Sequence, residues 1–322
     1  MKNLLKKEWV YVRWLILINI FLLIISSSQI FASYLSQINF FISSNNKNMK
    51  KFALDPHFHI QNYFGEKMTL IIIAVVFFSV FIIMAADYLN GGRERLISMS
   101  YTRKQIIESK WIMAAISVVI PLIIDYCFIF GIYFINYSIL NSINRYRFML
   151  EWMVLNVLTC IFIITFIMFI QSLHGNNIAG VITSVILLFL WKNGEELLRE
   201  FLNLYGIKFS YSHEVYMVAY YNNMNNMTLK PIVRILVLIT FSMLVFFIMV
   251  KIFENIPLEN KYNLSMYKPF TYVLRIIFVI VITMMAMTII FQYPNQSKIL
   301  LYIVTSIAIA GLSIYGSVRI IK

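Results

Sequence analysis

The chain has 322 residues, of which 61% are hydrophobic and only 13% charged, about half the ~25% usual for a soluble domain. Mean hydropathy is +0.79. A soluble globule of this length needs a polar skin that this composition does not supply, so a soluble enzyme, a disordered chain and a fibrous protein are excluded. Formal net charge is +13, from 27 Lys and Arg against 14 Asp and Glu. No soluble module carries that excess, so it reads as orientation in a membrane and contact with anionic lipid, with no nucleic acid as partner. Cys127 and Cys160 each lie inside an apolar run and are expected to remain thiols with no disulfide framework.

A membrane-crossing helix needs roughly 20 mostly apolar residues. Eight runs approach that length, near 14–34, 68–86, 111–137, 152–173, 178–191, 232–253, 272–291 and 300–320, the fifth being the shortest. Backbone polar groups in lipid must bond within their own segment, so these runs are expected to be helices of an all-α polytopic transmembrane bundle. The short alternating segments of a β-barrel do not occur. Wound as a helix, residues 1–13 place Leu4, Leu5, Trp9 and Val12 on one broad side and Lys2, Lys6 and Arg13 on the other. That pattern predicts an interfacial amphipathic helix leading into the first span. No small-x-small site follows the first apolar run, so the segment does not read as a signal peptide.

Beyond this helix, residues 14–253 form a six-span core. Within it, 35–67 is expected to be an external loop, and 192–231 a second external segment with a helix over Glu195–Leu202. Residues 254–271, with Pro257 and Pro269, form a cytoplasmic linker, and 272–322 a two-span hairpin. With the N-terminus in the cytoplasm, the dense basic cluster Arg93, Arg95, Arg103, Lys104 and Lys110 falls inside, as do both termini.

Catalytic motifs are missing. There is no G-x-x-x-x-G-K-[ST], no G-x-S-x-G and no H-E-x-x-H. His57 and His59 have no neighbouring Cys partner, too few ligands for a metal site. His174, followed by Gly175, Asn176 and Asn177, is expected to end a helix. Asp125 lies near the middle of the third run, four residues after Pro121. Proline there is expected to kink the helix and free a carbonyl. A carboxyl at that depth needs a partner or water. It either lines a polar cavity or proton relay, or bonds a Ser, Asn or Tyr of a neighbouring helix.

The most informative stretch runs from Asp87 to Ile106, between the second and third spans. Gly91 and Gly92 break the incoming helix, Arg93 to Met99 can form a short helix, and Thr102 can cap the next one, beginning at Arg103. A small charged helix held between two spans suits a protein that docks onto a soluble cytoplasmic partner.

The run E-R-L-I-S-M-S-Y-T-R-K-Q-I-I-E-S-K, Glu94 to Lys110, resembles the first cytoplasmic loop of ABC transporter permeases of the type-2 export family. Glu94, Leu96, Ile97, Ser98 and Met99 fall on the first part of that loop, Thr102 and Arg103 on its Ser-Arg pair, and Ile106 and Lys110 on its last positions. Asp87 stands at the family's Glu, Gly91 or Gly92 at its glycine, and Ser100 departs from its proline. The close match covers about 25 residues, and the two C-terminal spans resemble larger Gram-positive members, some tied to antimicrobial peptide export. The resemblance implies a multi-pass permease of a bacterial plasma membrane. It would pair with a second permease, identical or homologous, and with cytoplasmic ATPase subunits that bind the ATP and magnesium. The chain itself would then hold no cofactor and no catalytic residue. The segment 93–105 would be the coupling helix, with Glu94, Arg95, Arg103 and Lys104 as polar docking contacts and Leu96 and Met99 as apolar ones. The substrate would be amphipathic, such as a peptide, toxin or drug. Two competing readings remain: a stand-alone secondary transporter with Asp125 as its proton site, and a membrane-embedded enzyme or immunity-type binding protein.

Overall fold

The computed structural model describes residues 2–44, 60–89, 101–137, 140–141, 146–174, 177–205 and 231–255, with single positions between 272 and 311. Among these the chain is all-α. The helices are α1 (Lys2–Ser44), α2 (Ile60–Leu89), α3 (Arg103–Ile135), α4 (Tyr146–Ser172), α5 (Asn177–Leu204) and α6 (Pro231–Asn255). Among the described residues five segments are long and apolar enough to cross a membrane: Val12–Phe40, Lys67–Ala85, Arg103–Ile135, Met149–Ser172 and Ile232–Asn255. The chain is thus a multi-pass membrane protein with a helical bundle. The fifth sequence run appears as a shorter apolar stretch, Ala179–Leu188, within α5. The last two runs, and the linker from 256 onward, fall largely or wholly outside the described residues.

The helices are longer than the apolar runs. α1 extends ten residues past Tyr34 to Ser44, and α2 already begins at Ile60, so both ends of the expected 35–67 loop are helical. Two local causes operate. Ser26, Ser28, Ser33 and Ser36 each return their hydroxyl to a carbonyl three or four residues back, which satisfies them without breaking the helix. Beyond the serines, Tyr34 rests on Tyr63 (5.0 Å between ring centroids) and Phe31 on Phe64 (5.5 Å), so aromatic packing holds the α1 and α2 ends together. At the other end α1 runs straight from Lys2 into the span, so residues 2–13 are its first turns rather than a separate helix. Leu4 and Val12 are buried there, and Trp9 is 45% exposed.

The chain forms two compact units. The first is Met1–Phe169 with Met217–Glu254. Its centre is α1 laid along α3, with α2 against both. The side chains of α1 that turn inward are Leu4, Glu8, Val12, Leu15, Asn19, Leu23, Ser27, Phe31, Tyr34 and Ile38, recurring every three or four residues as one helical face requires. Contacts advance together on α1 and α3, from Leu4–Ile106 through Glu8–Lys110 and Asn19–Ser117 to Ser27–Asp125. The two helices are therefore parallel. On α2 the order reverses: Ile83 meets Lys110, Ser79 meets Asn19, and Met68 meets Ser27. The second unit is Ile170–Tyr216 with Asn255–Lys322. There Leu204 and Met287 are buried together, flanked by Phe201, Tyr205 and Ile309.

Candidate functional site

The head of α3 is tied to several neighbours within the first unit. Thr102 is extended (φ −71°, ψ 149°) and caps the helix. Its hydroxyl accepts from the Gln105 amide at 3.3 Å, and the Gln105 side chain accepts from the Thr102 amide at 3.2 Å. This reciprocal pair occupies two of the donors a helix start leaves open, and the cap falls where the sequence predicts it. One residue on, Arg103 donates through Nη1 to the Glu254 carbonyl at the end of α6 (3.2 Å). Lys104 instead points outward, 55% exposed, with Glu108 at 3.9 Å. Ile106 packs on Leu4, with Tyr101 against them.

Lys110 lies two turns into α3, its side chain only 4% exposed, with Nζ 3.8 Å from Oε1 of the equally buried Glu8. The same ammonium donates to the Ile83 carbonyl at 2.7 Å. One cation thus joins the ends of α1, α2 and α3. Two charges so placed lose most of their hydration, and only the pairing and the added hydrogen bond offset that.

Deeper in the span, Pro121 sits inside α3 without ending it. A proline has no amide to give the carbonyl four residues earlier, here that of Ser117. The buried Asn19 of α1 fills the gap. Its Nδ2 donates to the Ser117 carbonyl at 2.9 Å and to Ser79 Oγ of α2 at 2.9 Å. Two turns further, Ser27 donates to Asp125 Oδ1 at 2.6 Å, and its oxygen lies 3.8 Å from the Met68 sulfur. Tyr126 beside Asp125 rests on Trp152 of α4 at 5.4 Å. Trp111 donates to Thr165 of α4 at 2.9 Å, so α4 is also anchored to α3 by a polar contact.

In the second unit, α4 ends at Ser172 and α5 begins at Asn177, so His174 stands in the expected turn. Its Nδ1 is 2.8 Å from the Ile170 carbonyl and its Nε2 is 3.1 Å from Thr183 Oγ1. Burial holds its pKa below the ordinary histidine value, and the bond to the Ile170 carbonyl partly opposes that. A proton on Nδ1 suits the bond to the Ile170 carbonyl, while the Thr183 hydroxyl also lies 2.8 Å from the Ala179 carbonyl, to which it donates.

Of the sequence-predicted residues, Gly91, Gly92, Arg93, Glu94, Arg95, Leu96, Ser98 and Met99 lie outside the described residues, as do His57 and His59. Thr102, Arg103 and Lys104 come together at the head of α3, with Arg103 turned to another helix of the chain. Pro121 and Asp125 meet α1 through Asn19 and Ser27. Asp125 accepts its hydrogen bond from a serine of a neighbouring helix. Glu8, Asn19, Ser27 and Lys110 were not singled out by the sequence as a set. The usable signal was Glu8, the lone carboxylate of α1; Asn19 is one of several amides in that helix and does not stand out. Among the described residues no group of three or more His, Cys, Asp or Glu could hold a metal ion, and Cys127 and Cys160 are free thiols. Comparison with protein-family models, with curated proteins and with solved structures finds no match to this chain.

Proposed function

We propose that the chain is the transmembrane permease of an ATP-driven exporter, worked by separate ATPase subunits and carrying an amphipathic substrate out across a bacterial plasma membrane. The resemblance of Glu94–Lys110 to the type-2 export loop brings the reading forward. The observation that carries it is the construction of the α3 head, which forms the second half of that stretch. A helix that only has to span needs no capping box, no buried Glu8–Lys110 pair and no reach from Arg103 to α6. A helix that receives force from a docked subunit needs its first turns fixed to its neighbours, so that a push on one moves several. Exposed Lys104 and the loop residues Glu94, Arg95, Leu96 and Met99 are the docking contacts in this reading, and Arg103 acts inside the permease.

The test is affinity purification of the tagged full chain from native membranes, with photo-labelling by azido-ATP to mark any ATPase retained. The intact chain is expected to bring down an ATP-labelled subunit, and Glu94→Ala with Lys104→Ala to lose it while eluting as a folded protein. Arg103→Ala is avoided because it also frees the Glu254 carbonyl. Absence of an ATP-labelled subunit from the intact preparation overturns the proposal.

A further inference from the structure

Glu8 is the only carboxylate before Asp55. The fold turns it inward, where Lys110 neutralises it. At about 100° per residue, Lys6 and Arg13 stand roughly 140–160° round the helix from Glu8. Glu8 therefore does not sit beside the cations on the outer side of the first turns. Lys6, Lys7 and Arg13 are exposed there, together with Trp9, Val10 (49%), Trp14 (60%) and Leu17 (57%). The Arg13 guanidinium lies 5.7 Å from the Trp14 ring centroid, so the cation and the aromatic ring form one patch.

We propose that this outer stripe, Lys6, Lys7 and Arg13 beside Trp9 and Trp14, binds the headgroups of anionic phospholipids. Indole rings favour the boundary between headgroups and acyl chains, and both tryptophans flank Val12, where the first span begins. Basic side chains near that boundary attract anionic lipid. Leu17 and Phe21 continue the exposed stripe directly into the span, so the surface runs unbroken from charged to apolar along one helix, as a phospholipid does from headgroup to chain. An acidic soluble protein would match only the upper half of it. The unbroken α1 also sets the geometry. The arm is not a separate helix; it continues into the span, with its inner face packed on α3. The lipid site is thus built against the same turns of α1 that hold the α3 head. The inference does not depend on the exporter reading.

The experiment uses the full chain in nanodiscs of phosphatidylcholine containing a minor share of phosphatidylglycerol, with native mass spectrometry counting the lipids retained. Each cation near an anionic surface contributes about a fivefold preference, so three give on the order of a hundredfold before salt screening. The wild-type chain is expected to enrich phosphatidylglycerol, the combined K6Q, K7Q and R13Q variant to lose the enrichment, and K6R, K7R and R13K to keep it. None of these changes touches Leu4, Glu8 or Val12. Equal retention of phosphatidylglycerol by the glutamine variant overturns the proposal. So does absence of any preference in the wild-type chain, or displacement of the bound lipid by inorganic phosphate.

Discussion

Helices α3 and α6 have similar apolar content but are held in different ways. Half of the apolar stretch of α3 is covered, against 22% of that of α6. α3 meets its neighbours through Lys110, the Ser117 carbonyl, Asp125 and Trp111. α6 touches it through Phe246 on Trp111 (4.8 Å) and through the Glu254 carbonyl, while Leu236, Phe241, Met243, Leu244 and Phe247 face outward. In water such an outward row would have to be covered. In a bilayer the surrounding tails are as apolar as leucine, so apolar area gives little reason for one helix to choose another. Polar contacts and close packing make that choice, and among the described residues α1, α2 and α3 are joined by several of them.

The sharpest way to break the contrast is at Lys110. Lys110→Met or Glu8→Gln leaves one buried charge without its partner and is expected to destabilise by about 3–5 kcal/mol, seen as a large drop in thermal unfolding temperature in detergent. Glu8→Leu with Lys110→Met should recover most of that loss. If the double change is as damaging as either single one, the pair itself is not what matters there.

Asn19 comes next. Asn19→Leu strands the Ser117 carbonyl and is expected to cost about 1–3 kcal/mol. In a Pro121→Ala background the helix can supply its own amide to that carbonyl, so the penalty of Asn19→Leu should shrink. A thermal double-mutant cycle with no coupling between the two positions would show that Asn19 does not fill a gap left by the proline. The smallest expected effect lies on α6. Leu244→Ala and Phe247→Leu should change stability by no more than about 0.5 kcal/mol, as for exposed positions. A loss well above that would mean another protein surface, not lipid, covers that row.

His174 gives a pH-dependent contrast within the second unit. Its pKa is lowered in the folded chain, so the stability it contributes is present above the ordinary histidine value of about 6.5 and is lost as pH falls below it. Thermal unfolding followed from about pH 7.5 to 5 should show this decline, and His174→Asn should flatten it. A decline of equal size in the variant would place the titration elsewhere.

Much of this was legible in the residues. Long apolar runs dictate helices in lipid, and the Thr102 cap could be read from a threonine just ahead of Arg103 because capping is local. The ends of α1 and α2 were not legible. Ser33, Ser36, Tyr34 and Tyr63 look like loop composition, but the serine hydroxyls turn back onto their own helix and the two tyrosine rings pack on each other across the helices. Arg103 makes a contact that was not legible either: its guanidinium reaches a carbonyl 151 residues away, a partner that no spacing rule indicates.

By itself the sequence determined that this chain lives in a membrane as helices, that α3 begins after Thr102, and that Pro121 leaves a carbonyl without its amide. Those results depend on composition, on caps and on covalent geometry, all of which act within a few residues. Only the tertiary structure decided that Asn19 answers that carbonyl, that Lys110 draws Glu8 inward, and that Trp9 and Trp14 stand exposed with Lys6, Lys7 and Arg13. Each of these depends on which helix lies beside which. In lipid that choice turns on a few polar side chains brought together from distant parts of the chain, and the apolar pattern, which is nearly uniform here, does not encode it.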